Sequence, residues 1–357
     1  MPGDFFCSFF RALFVYFYSM NIFLDESLCK GNLVPFSYTR HVSDIRVGIF
    51  TIKEKWEKLT SAHIYLDEKV APGNCIRMDA HIIPSKNNFT QLLEGNYSTA
   101  KRVQYPWDIY LLNDWAIRND LEMLQPFLPA ISSLGTNQII NPGNVYADQT
   151  ARLNFSMINA SAGPVYIGKN AEVMEGSMLR GPLAICDNAV VKMGAKIYGA
   201  TTIGPNCVVG GEIKNTVLLA NSNKAHDGYL GDTVIGEWCN LGAGTSNSNV
   251  KNTASAVKFF LHDNEEGIDA GSKAGLLMGD YSRCAINTTF NTGTTVGVCC
   301  NIFGPGMLPK FTGNFLWGKE RYIFEKAIKD IDNWKKFKGS RVTEYEIASL
   351  KKLYHHQ

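Results

Sequence analysis

The sequence predicts a left-handed parallel β-helix of hexapeptide repeats, preceded by a short α/β domain and followed by a helical C-terminal tail. Every sixth residue is aliphatic through eight consecutive repeats, from Ile167 to Val209. The same register returns twice further along the chain, the second time ending at Ile302. A six-residue period fits neither an α-helix nor a simple strand alternation. It is typical of a coil in which each hexad forms one flat side of a triangular prism.

Within each hexad we expect the aliphatic residue to point inward and to stack on its counterparts in neighbouring turns. The residue two positions earlier is small in six of the eight repeats, and we expect it to lie at a corner. Leu183 occupies one of these positions and does not fit that expectation. The prism interior should offer no polar pocket, so any chemistry belongs on loops and outer faces.

Two intervals break the six-residue register. Val209 and Ile235 are 26 residues apart, and Leu241 and Met278 are 37 residues apart. Neither number divides by six, so we expect each interval to contain an excursion from the coil.

The first interval gathers side chains suited to acid–base chemistry. His226 can take a proton from an amine near neutral pH, and Lys214 and Lys224 suit a sugar phosphate. For one of seven histidines, an ordinary surface role is the alternative. The residues around His226 therefore decide between the two readings.

The string from Ser222 to Asp232, followed by Asn240-Leu-Gly-Ala-Gly-Thr245, resembles the acetyltransferase domain of the GlmU family, which makes UDP-N-acetylglucosamine. The resemblance implies that His226 is the catalytic base. The substrate-binding residues that it implies are Lys214, Lys224, Tyr229 and Asn240. The acetyl-CoA-binding residues that it implies are Ala243 and Asn249. Two positions depart from the family: the stretch Val209-Gly-Gly211 replaces an arginine, and Val250 replaces a tyrosine.

The resemblance also implies a reaction and an assembly. His226 would deprotonate the amino group of glucosamine 1-phosphate as it attacks acetyl-CoA, in a direct transfer that needs no metal. A backbone N–H near Ala243 and Gly244 would stabilise the oxyanion. The family implies a homotrimer with the site between neighbouring prisms.

Over the whole chain, the resemblance is closer to the GlmU-like bifunctional sugar nucleotidyltransferase family of the Bacteroidetes. The matching strings include 32–40, 106–109 and 235–240. The resemblance implies a nucleotidyltransferase domain that uses UTP or dTTP. The cations implied for the triphosphate are Arg40, Arg46 and Lys55, and the carboxylates implied for Mg²⁺ are Asp25 and Asp108. Ordinary solvated charge is the alternative for these residues. Only fifty residues separate Trp56 from Trp107, so we expect an abbreviated domain, either a degenerate fold that keeps a scaffold role or the result of a deletion.

The predicted domains are an apolar extension at 1–19, a nucleotidyltransferase-like domain at 20–130, the coil at 131–312 and the helical tail at 313–357. The extension makes a poor signal peptide and a short membrane anchor, and a start codon assigned too far upstream is the favoured explanation. We therefore expect no membrane association.

The composition restricts the alternatives. Lys and Arg outnumber Asp and Glu by only 35 to 33, so no basic field favours nucleic acid. Nine cysteines without a CxxC pair indicate reduced cytoplasmic thiols, several in small core positions. A γ-carbonic anhydrase would need three zinc-binding histidines, whereas the coil has only His226 and His262.

Two other functions stay open: a nucleotidyltransferase with the coil as a trimerisation scaffold, and a non-enzymatic assembly or sensing protein.

Overall fold

The computed structural model describes residues 20–125, 127–128, 135–263 and 266–356. The predicted extension at 1–19 lies outside the described residues. Within the described ranges, no helix is both long enough and apolar enough to cross a lipid bilayer.

Helices occur near both ends of the described chain: α1 (Ile52–Thr60), α2 (Phe89–Leu93), α3 (Asp108–Leu111), α4 (Asn113–Leu124), α5 (Phe324–Phe337) and α6 (Glu344–His355). The strands of the N-terminal unit are β1 (Asn21–Asp25), β2 (Arg46–Val47), β3 (Phe50–Thr51), β4 (His63–Tyr65), β5 (Ile76–Asp79), β6 (Ile82–Ile83) and β7 (Lys101–Arg102).

The remaining strands build the coil and its attachments. They are β8 (Gln138–Ile140), β9 (Val145–Ala147), β10 (Arg152–Leu153), β11 (Met157–Asn159), β12 (Val165–Ile167), β13 (Glu172–Val173), β14 (Met178–Arg180), β15 (Leu183–Ile185), β16 (Val190–Val191), β17 (Lys196–Tyr198), β18 (Thr201–Ile203), β19 (Val208–Val209), β20 (Glu212–Leu218), β21 (Asn223–Lys224), β22 (Tyr229–Ile235), β23 (Asn240–Leu241), β24 (Ser246–Asn247), β25 (Lys258–Phe259), β26 (Ile268–Asp269), β27 (Leu276–Met278), β28 (Arg283–Cys284), β29 (Thr289–Phe290), β30 (Thr294–Val296), β31 (Asn301–Ile302), β32 (Phe311–Thr312), β33 (Leu316–Trp317) and β34 (Glu320–Arg321).

The N-terminal unit is built on a small parallel sheet in which β1 lies between β4 and β5. The three apolar residues inside β1 are all buried, as expected for a parallel strand that is covered on both faces. α1 begins with a capping box, in which the Thr51 side chain and the Glu54 backbone N–H pair, and the Glu54 side chain pairs with the Thr51 N–H. The predicted α/β N-terminal domain is confirmed.

The coil is a parallel β-solenoid in which strands pair with those one turn later. Ile167, Ile185 and Ile203 are successive partners in register, which makes one regular turn three hexads long. The predicted parallel β-helix of hexapeptide repeats is therefore confirmed. We name its faces by their strands: face A (β8, β11, β14, β17, Glu212–Lys214 of β20, Tyr229–Gly231 of β22, β24, β29), face B (β9, β12, β15, β18, Thr216–Leu218 of β20, Thr233–Ile235 of β22, β27, β30, β32) and face C (β10, β13, β16, β19, β21, β23, β28, β31, β33).

The aliphatic residues of the repeats stack inside the prism, in one buried cluster. Leu183 belongs to the same cluster, because it opens strand β15 with its side chain inside. The expectation that positions such as 183 lie at corners is therefore wrong. The chain turns instead where Asn170 and Asn188 adopt φ values of 54° and 58°, a left-handed conformation that asparagine tolerates.

The first break in the register is not an excursion. Every residue from 209 to 235 is described, and β20 and β22 pair in register along both of their halves. Ile203 pairs with Leu218, and Leu218 pairs with Ile235, so two successive turns are shorter than three hexads. The segment that carries the predicted site is therefore part of the coil wall and not a projecting loop.

The second break is an excursion, as predicted. After β24 the chain leaves the coil, forms the antiparallel pair β25 and β26, and returns at β27. Val257 and Phe259 of this excursion are buried in a cluster shared with the N-terminal unit. The excursion therefore fastens the N-terminal unit to the coil.

Two of the three faces are covered by the chain itself. Val217 and Val234 on the outside of face B share a buried cluster with Trp56 of α1. At the corner between faces B and C, the Lys338 ammonium at the end of α5 donates to the backbone carbonyls of Asn206 and Asn221, both at 2.9 Å. On face C itself, the guanidinium of Arg283 lies 5.4 Å from the ring centre of Trp334 in α5. The N-terminal unit thus packs on face B and the predicted helical tail packs on face C.

Face A stays open within the part of the chain that the structure describes. Ile140, Met157 and Met178 point outward from three successive strands and are 59%, 50% and 47% exposed. Arg180 and Tyr198 border this apolar patch. The patch runs along the same face as Lys214 and Tyr229.

Candidate active site

His226 lies in a bend at the corner between faces C and A, after β21 and before β22. Its imidazole is exposed and makes no hydrogen bond to any described part of the chain. The backbone of the bend is held by the following turn of the coil, because the Asp227 carbonyl accepts a 3.0 Å hydrogen bond from the Gly244 N–H. The site histidine is thus a free side chain on a fixed backbone.

Glycines allow this bend to pack closely. A Cβ on Gly211 would lie 2.8 Å from the Gly228 carbonyl oxygen and 2.9 Å from the His226 carbonyl oxygen, and Gly211 has φ +74°. A Cβ on Gly210 would lie 2.5 Å from the Ala225 carbonyl oxygen. The Gly-Gly pair in place of the family arginine therefore has a physical reason: the turn that carries His226 lies directly on it.

A hydrogen-bonded group of polar side chains lies on face A beside the bend. The Asn249 amide donates to the Tyr229 hydroxyl at 3.1 Å and to the Asp232 carboxylate at 2.5 Å. The Asn215 amide donates to the other oxygen of Asp232 at 2.6 Å. Asp232 and Asn215 thus hold Asn249, and through it the phenol of Tyr229, in a fixed position.

The environment keeps the Tyr229 hydroxyl protonated. Burial, followed by the negative charges of Asp232 and Glu212, raises the pKa of Tyr229 to about 12. The phenol is half-buried and can donate a hydrogen bond to an anion at any physiological pH. This behaviour is compatible with the predicted phosphate contact.

Lys214 lies on the strand that pairs with the strand of Tyr229 and Asp232. It is the register partner of Gly231, between Tyr229 and Asp232 on β22. Its ammonium lies 5.9 Å from the ring centre of Tyr198 and has no carboxylate within ion-pair distance among the described residues. Lys214 is half-buried and is available to an anionic ligand on face A.

Lys224 does not lie on the surface. Its side chain is 1% exposed, inside the prism, and its ammonium donates to the backbone carbonyl of His226 at 2.5 Å. The ammonium of Lys224 is therefore enclosed by the prism and does not face a sugar phosphate in this structure. The six-residue count could not show this, because Lys224 follows its inward-pointing register partner Val209 by 15 residues, which is not a multiple of six.

The other residues predicted for the acetyltransferase site lie on the turn that follows the bend. Asn240 is half-buried in β23 of face C and accepts a 3.3 Å hydrogen bond from the Asn223 amide. Ala243 lies at the next corner, beside Gly244. The structure thus places Ala243 in the corner column to which His226 belongs, one turn later, and Asn240 on face C just before that corner.

The three predicted triphosphate-binding cations have protein partners. Arg40 forms ion pairs with Glu237, at 2.6 Å, and with Asp280. Lys55 and Asp120 form an ion pair in which each side chain is 1% exposed. Arg46 is buried and donates to the Ile49 carbonyl. Arg40 thus joins the N-terminal unit to the coil, and a triphosphate role for any of the three would require these contacts to break.

The two predicted magnesium ligands also have partners in the protein. Asp25 pairs with Arg77 at 2.7 Å; burial alone would raise the pKa of Asp25, but the Ser27 N–H and Arg77 outweigh burial and lower it. Asp108 accepts hydrogen bonds from the backbone at Gln104 and Tyr105, while burial raises its pKa. Among the described residues, no group of three or more His, Cys, Asp or Glu side chains could hold a metal ion.

A large cavity lies away from His226, at the C-terminal end of the coil. Its volume is about 1090 Å³, and it is bounded by Pro35 and Tyr38 of the N-terminal unit, His262 of the excursion, and the coil from Thr295 to Lys319. His226 is not part of its lining. The candidate site at His226 is therefore a surface site when one chain is taken alone.

The comparisons with known proteins give one family match and several curated relatives. The profile of a family described as "Sugar nucleotidyl transferase" matches residues 21–70. The chain is 30% identical over 117 residues to "Bifunctional protein GlmU" of Methanocaldococcus jannaschii, covering 32% of this chain and 28% of the relative. It is 34% identical over 96 residues to "Bifunctional sugar-1-phosphate nucleotidylyltransferase/acetyltransferase" of Sulfurisphaera tokodaii, covering 27% and 23%.

A longer match, at 24% identity over 202 residues, is to "Bifunctional protein GlmU" of Methanococcus vannielii, and covers 54% of this chain and 40% of the relative. The chain thus aligns with less than half the length of each of these curated relatives. The UDP-N-acetylglucosamine acyltransferase of Francisella novicida has a TM-score of 0.23 at 17% identity, covering 61% of this chain and 78% of that chain. The polysialic acid O-acetyltransferase OatWY has a TM-score of 0.24 at 17% identity, covering 52% and 92%.

The structural matches are too distant to carry an argument, so the assignment depends on the sequence matches and on the architecture described above. The Bacteroidetes branch stays a prediction. The chain therefore joins a small parallel sheet, whose region 21–70 is similar to sugar nucleotidyl transferases, to a parallel β-solenoid, and parts of it are similar to GlmU-type bifunctional proteins.

Proposed function

We propose that this protein is an acetyl-CoA-dependent N-acetyltransferase whose acceptor is an amino-sugar 1-phosphate, with glucosamine 1-phosphate as the expected acceptor. The observation that carries the proposal is the exposed imidazole of His226 at the corner that borders the open face A, on which Lys214 and the protonated Tyr229 also lie. The names of the curated relatives supply the reaction class. We expect the reaction to take place in the cytoplasm, because the cysteine pattern favours reduced thiols.

In the proposed reaction, the neutral imidazole of His226 accepts a proton from the 2-amino group as the nitrogen attacks the thioester carbon of acetyl-CoA. The new C–N bond forms a tetrahedral intermediate. The C–S bond then breaks, and the CoA thiolate takes the proton from the imidazolium. The products are the N-acetylated sugar phosphate and CoA, and His226 returns to its neutral form.

Two further groups of the coil have proposed roles in binding. Lys214 and the Tyr229 hydroxyl would bind the phosphate, because one supplies a positive charge and the other a hydrogen-bond donor on the same face. Asn249 would lie beside the thioester, and Asn240 would contact the sugar. The Gly244 N–H already donates to Asp227, so we propose the Ala243 N–H as the oxyanion donor.

The open face A supports a homotrimer. Its outward apolar side chains Ile140, Met157 and Met178 are each about half exposed, whereas faces B and C are covered by the chain itself. Burying this patch against a second copy would remove apolar surface from water and would place a neighbouring prism beside His226. That neighbour would supply the wall that the site lacks in one chain.

The test is release of CoA from acetyl-CoA with glucosamine 1-phosphate as acceptor. We expect activity in the wild type and a loss of at least about a hundredfold in kcat for His226→Ala, because a positioned base contributes about 10² to 10⁴. His63→Ala is the matched control, since His63 is also an exposed histidine but belongs to the N-terminal sheet. Turnover of His226→Ala like that of the wild type would contradict the proposed base.

A second candidate is a sugar-1-phosphate uridylyl- or thymidylyltransferase with the coil as a trimerisation scaffold. The match of residues 21–70 to the sugar nucleotidyl transferase family favours it. Release of pyrophosphate from UTP or dTTP with a sugar 1-phosphate and Mg²⁺ tests this activity in parallel. Absence of both activities in the wild type would favour the third function, a non-enzymatic assembly or sensing protein.

A further inference from the structure

Lys224 occupies a position in the coil where an aliphatic side chain is the rule. On face C, Val173, Val191 and Val209 are successive register partners, and Lys224 is the next one. The side chains of this column point into the prism, so Lys224 takes an ammonium group into an apolar core. A buried charge of this kind is costly unless hydrogen bonds compensate for the lost water.

The hydrogen bonds that replace the lost hydration of the Lys224 ammonium are made to backbone carbonyls of the candidate site. Its Nζ donates to the His226 carbonyl oxygen at 2.5 Å, and it lies 3.4 Å from the Gly210 carbonyl oxygen. The first carbonyl belongs to the bend that exposes the imidazole. The second belongs to the glycine pair on which that bend packs. One ammonium inside the prism thus connects the backbone of His226 to the turn beneath it.

We propose that Lys224 is a positioning residue of the acetyltransferase site, which holds the backbone of His226 from inside the coil so that the imidazole is presented at the corner. This inference rests on the proposed function. Lys224 itself does not touch the substrate, because its side chain is on the inner side of the wall. An aliphatic residue would fill the column and would leave the His226 carbonyl without this donor.

The surroundings of Lys224 make the contact sensitive to pH. Burial lowers the pKa of Lys224 to about 8, and the charge groups that face it are the Asp227 carboxylate and the Cys284 thiol. Above pH 8 the ammonium loses its proton, and a charge-assisted hydrogen bond becomes a weaker neutral one. We therefore expect kcat to fall on the alkaline side with an apparent pKa near 8, through the position of His226 and not through its protonation.

The test compares Lys224→Met with the wild type and with Lys169→Met, a matched control at an exposed lysine of the coil. We expect Lys224→Met to fold, to lower kcat about tenfold to a hundredfold with KM values within about twofold, and to lose the alkaline limb of the kcat profile. Lys224→Gln retains an N–H donor without a titrating group, so it should recover part of kcat and still lack the alkaline limb. An unchanged kcat with the alkaline limb retained would overturn the proposal.

A second measurement separates this inference from the proposed function. Hydrogen–deuterium exchange of the backbone amides at 225–228 should be faster in Lys224→Met than in the wild type or in Lys169→Met. Unchanged exchange would overturn the proposal whatever the kinetics show. If the wild type transfers no acetyl group, the proposed function fails, and exchange alone decides whether Lys224 holds the bend.

Discussion

The amide of Asn249 donates a 3.1 Å hydrogen bond to the hydroxyl of Tyr229, although Asn249 begins the excursion and Tyr229 begins a strand on the preceding turn of the coil. Asp232 fixes the same amide at 2.5 Å. Because a carboxylate holds the donor, the phenol accepts one hydrogen bond from the protein and retains its own O–H for a ligand. The geometry therefore makes Tyr229 a donor to an anion.

Tyr229→Phe should mainly weaken binding of the sugar phosphate. A hydrogen bond to a charged group contributes about 1.5 to 3 kcal/mol, which corresponds to a rise in KM of roughly ten- to a hundredfold at nearly constant kcat. Steady-state kinetics with varied glucosamine 1-phosphate measures this effect. Tyr198→Phe is a suitable control, because the Tyr198 hydroxyl already donates to Glu212 at 2.6 Å. Equal KM values for Tyr229→Phe and the wild type would exclude the proposed contact.

Gly211→Ala should lower both kcat and the melting temperature. A Cβ at this position would lie within 3 Å of the carbonyl oxygens of His226 and Gly228, so the bend would have to move. Gly194→Ala is the matched control, since Gly194 has nearly the same left-handed φ, +69°, with no atom within 4 Å of the added Cβ. Both variants carry the backbone strain, and only Gly211→Ala adds the clash. Similar kcat values for the two would show that the close packing does not matter to the site.

The pH dependence of stability provides a test of the buried charge of Lys224. In the folded state its pKa is lowered to about 8, so the folded protein holds this proton more weakly than the unfolded chain does. The cost of burying the charge is complete below pH 8, and it decreases as the pH rises from 8 towards the ordinary lysine value of about 10.4. Lys224→Met has no such cost. Its advantage in free energy of unfolding over the wild type should shrink between pH 8 and 10 in denaturant titrations, and a constant difference would contradict the lowered pKa.

The sequence predicted the coil well because a six-residue period leaves few other architectures. Ile167, Ile185 and Ile203 stack in register as expected. The same arithmetic failed between Val209 and Ile235, because it did not allow for turns of the coil that are shorter than three hexads. The corners were also assigned to the wrong positions. We expected small side chains to mark them, whereas the chain turns at asparagines in the left-handed conformation.

Side-chain partners were beyond what the sequence could predict. Arg40 was expected to meet a triphosphate because it ends the string 32–40, which resembles the nucleotidyltransferase family. Its partners Glu237 and Asp280 lie about two hundred residues later, and only the packing of the N-terminal unit on the coil brings them together. Asp232 was visible in the family string but was given no role, because its hydrogen bond to Asn249 crosses from one turn to the next.

Lys55→Met should destabilise the N-terminal unit and should not act as a simple loss of nucleotide binding. Its partner Asp120 is almost fully buried and also accepts hydrogen bonds from the backbone at Ile49 and Phe50. Removing one partner of a buried ion pair costs about 3 to 5 kcal/mol, because the other charge stays buried. Chemical denaturation measures this loss. Adding Asp120→Asn should recover much of it, and a stable single variant would contradict the structural role.

Met178→Glu should break the assembly of the protein while the single chain stays folded. Met178 is 47% exposed in the middle of the apolar patch on face A, between Ile140 and Met157 on one side and Tyr198 on the other. A carboxylate there would be buried without a partner in a trimer but would be solvated in a monomer, so the substitution acts only on association. Phe337→Glu is the matched control, because Phe337 is 88% exposed at the end of α5, the helix that packs on face C. Light scattering after gel filtration should give a monomer for Met178→Glu and a trimer for the wild type and for Phe337→Glu. A trimer in all three would show that copies of this chain do not associate through face A.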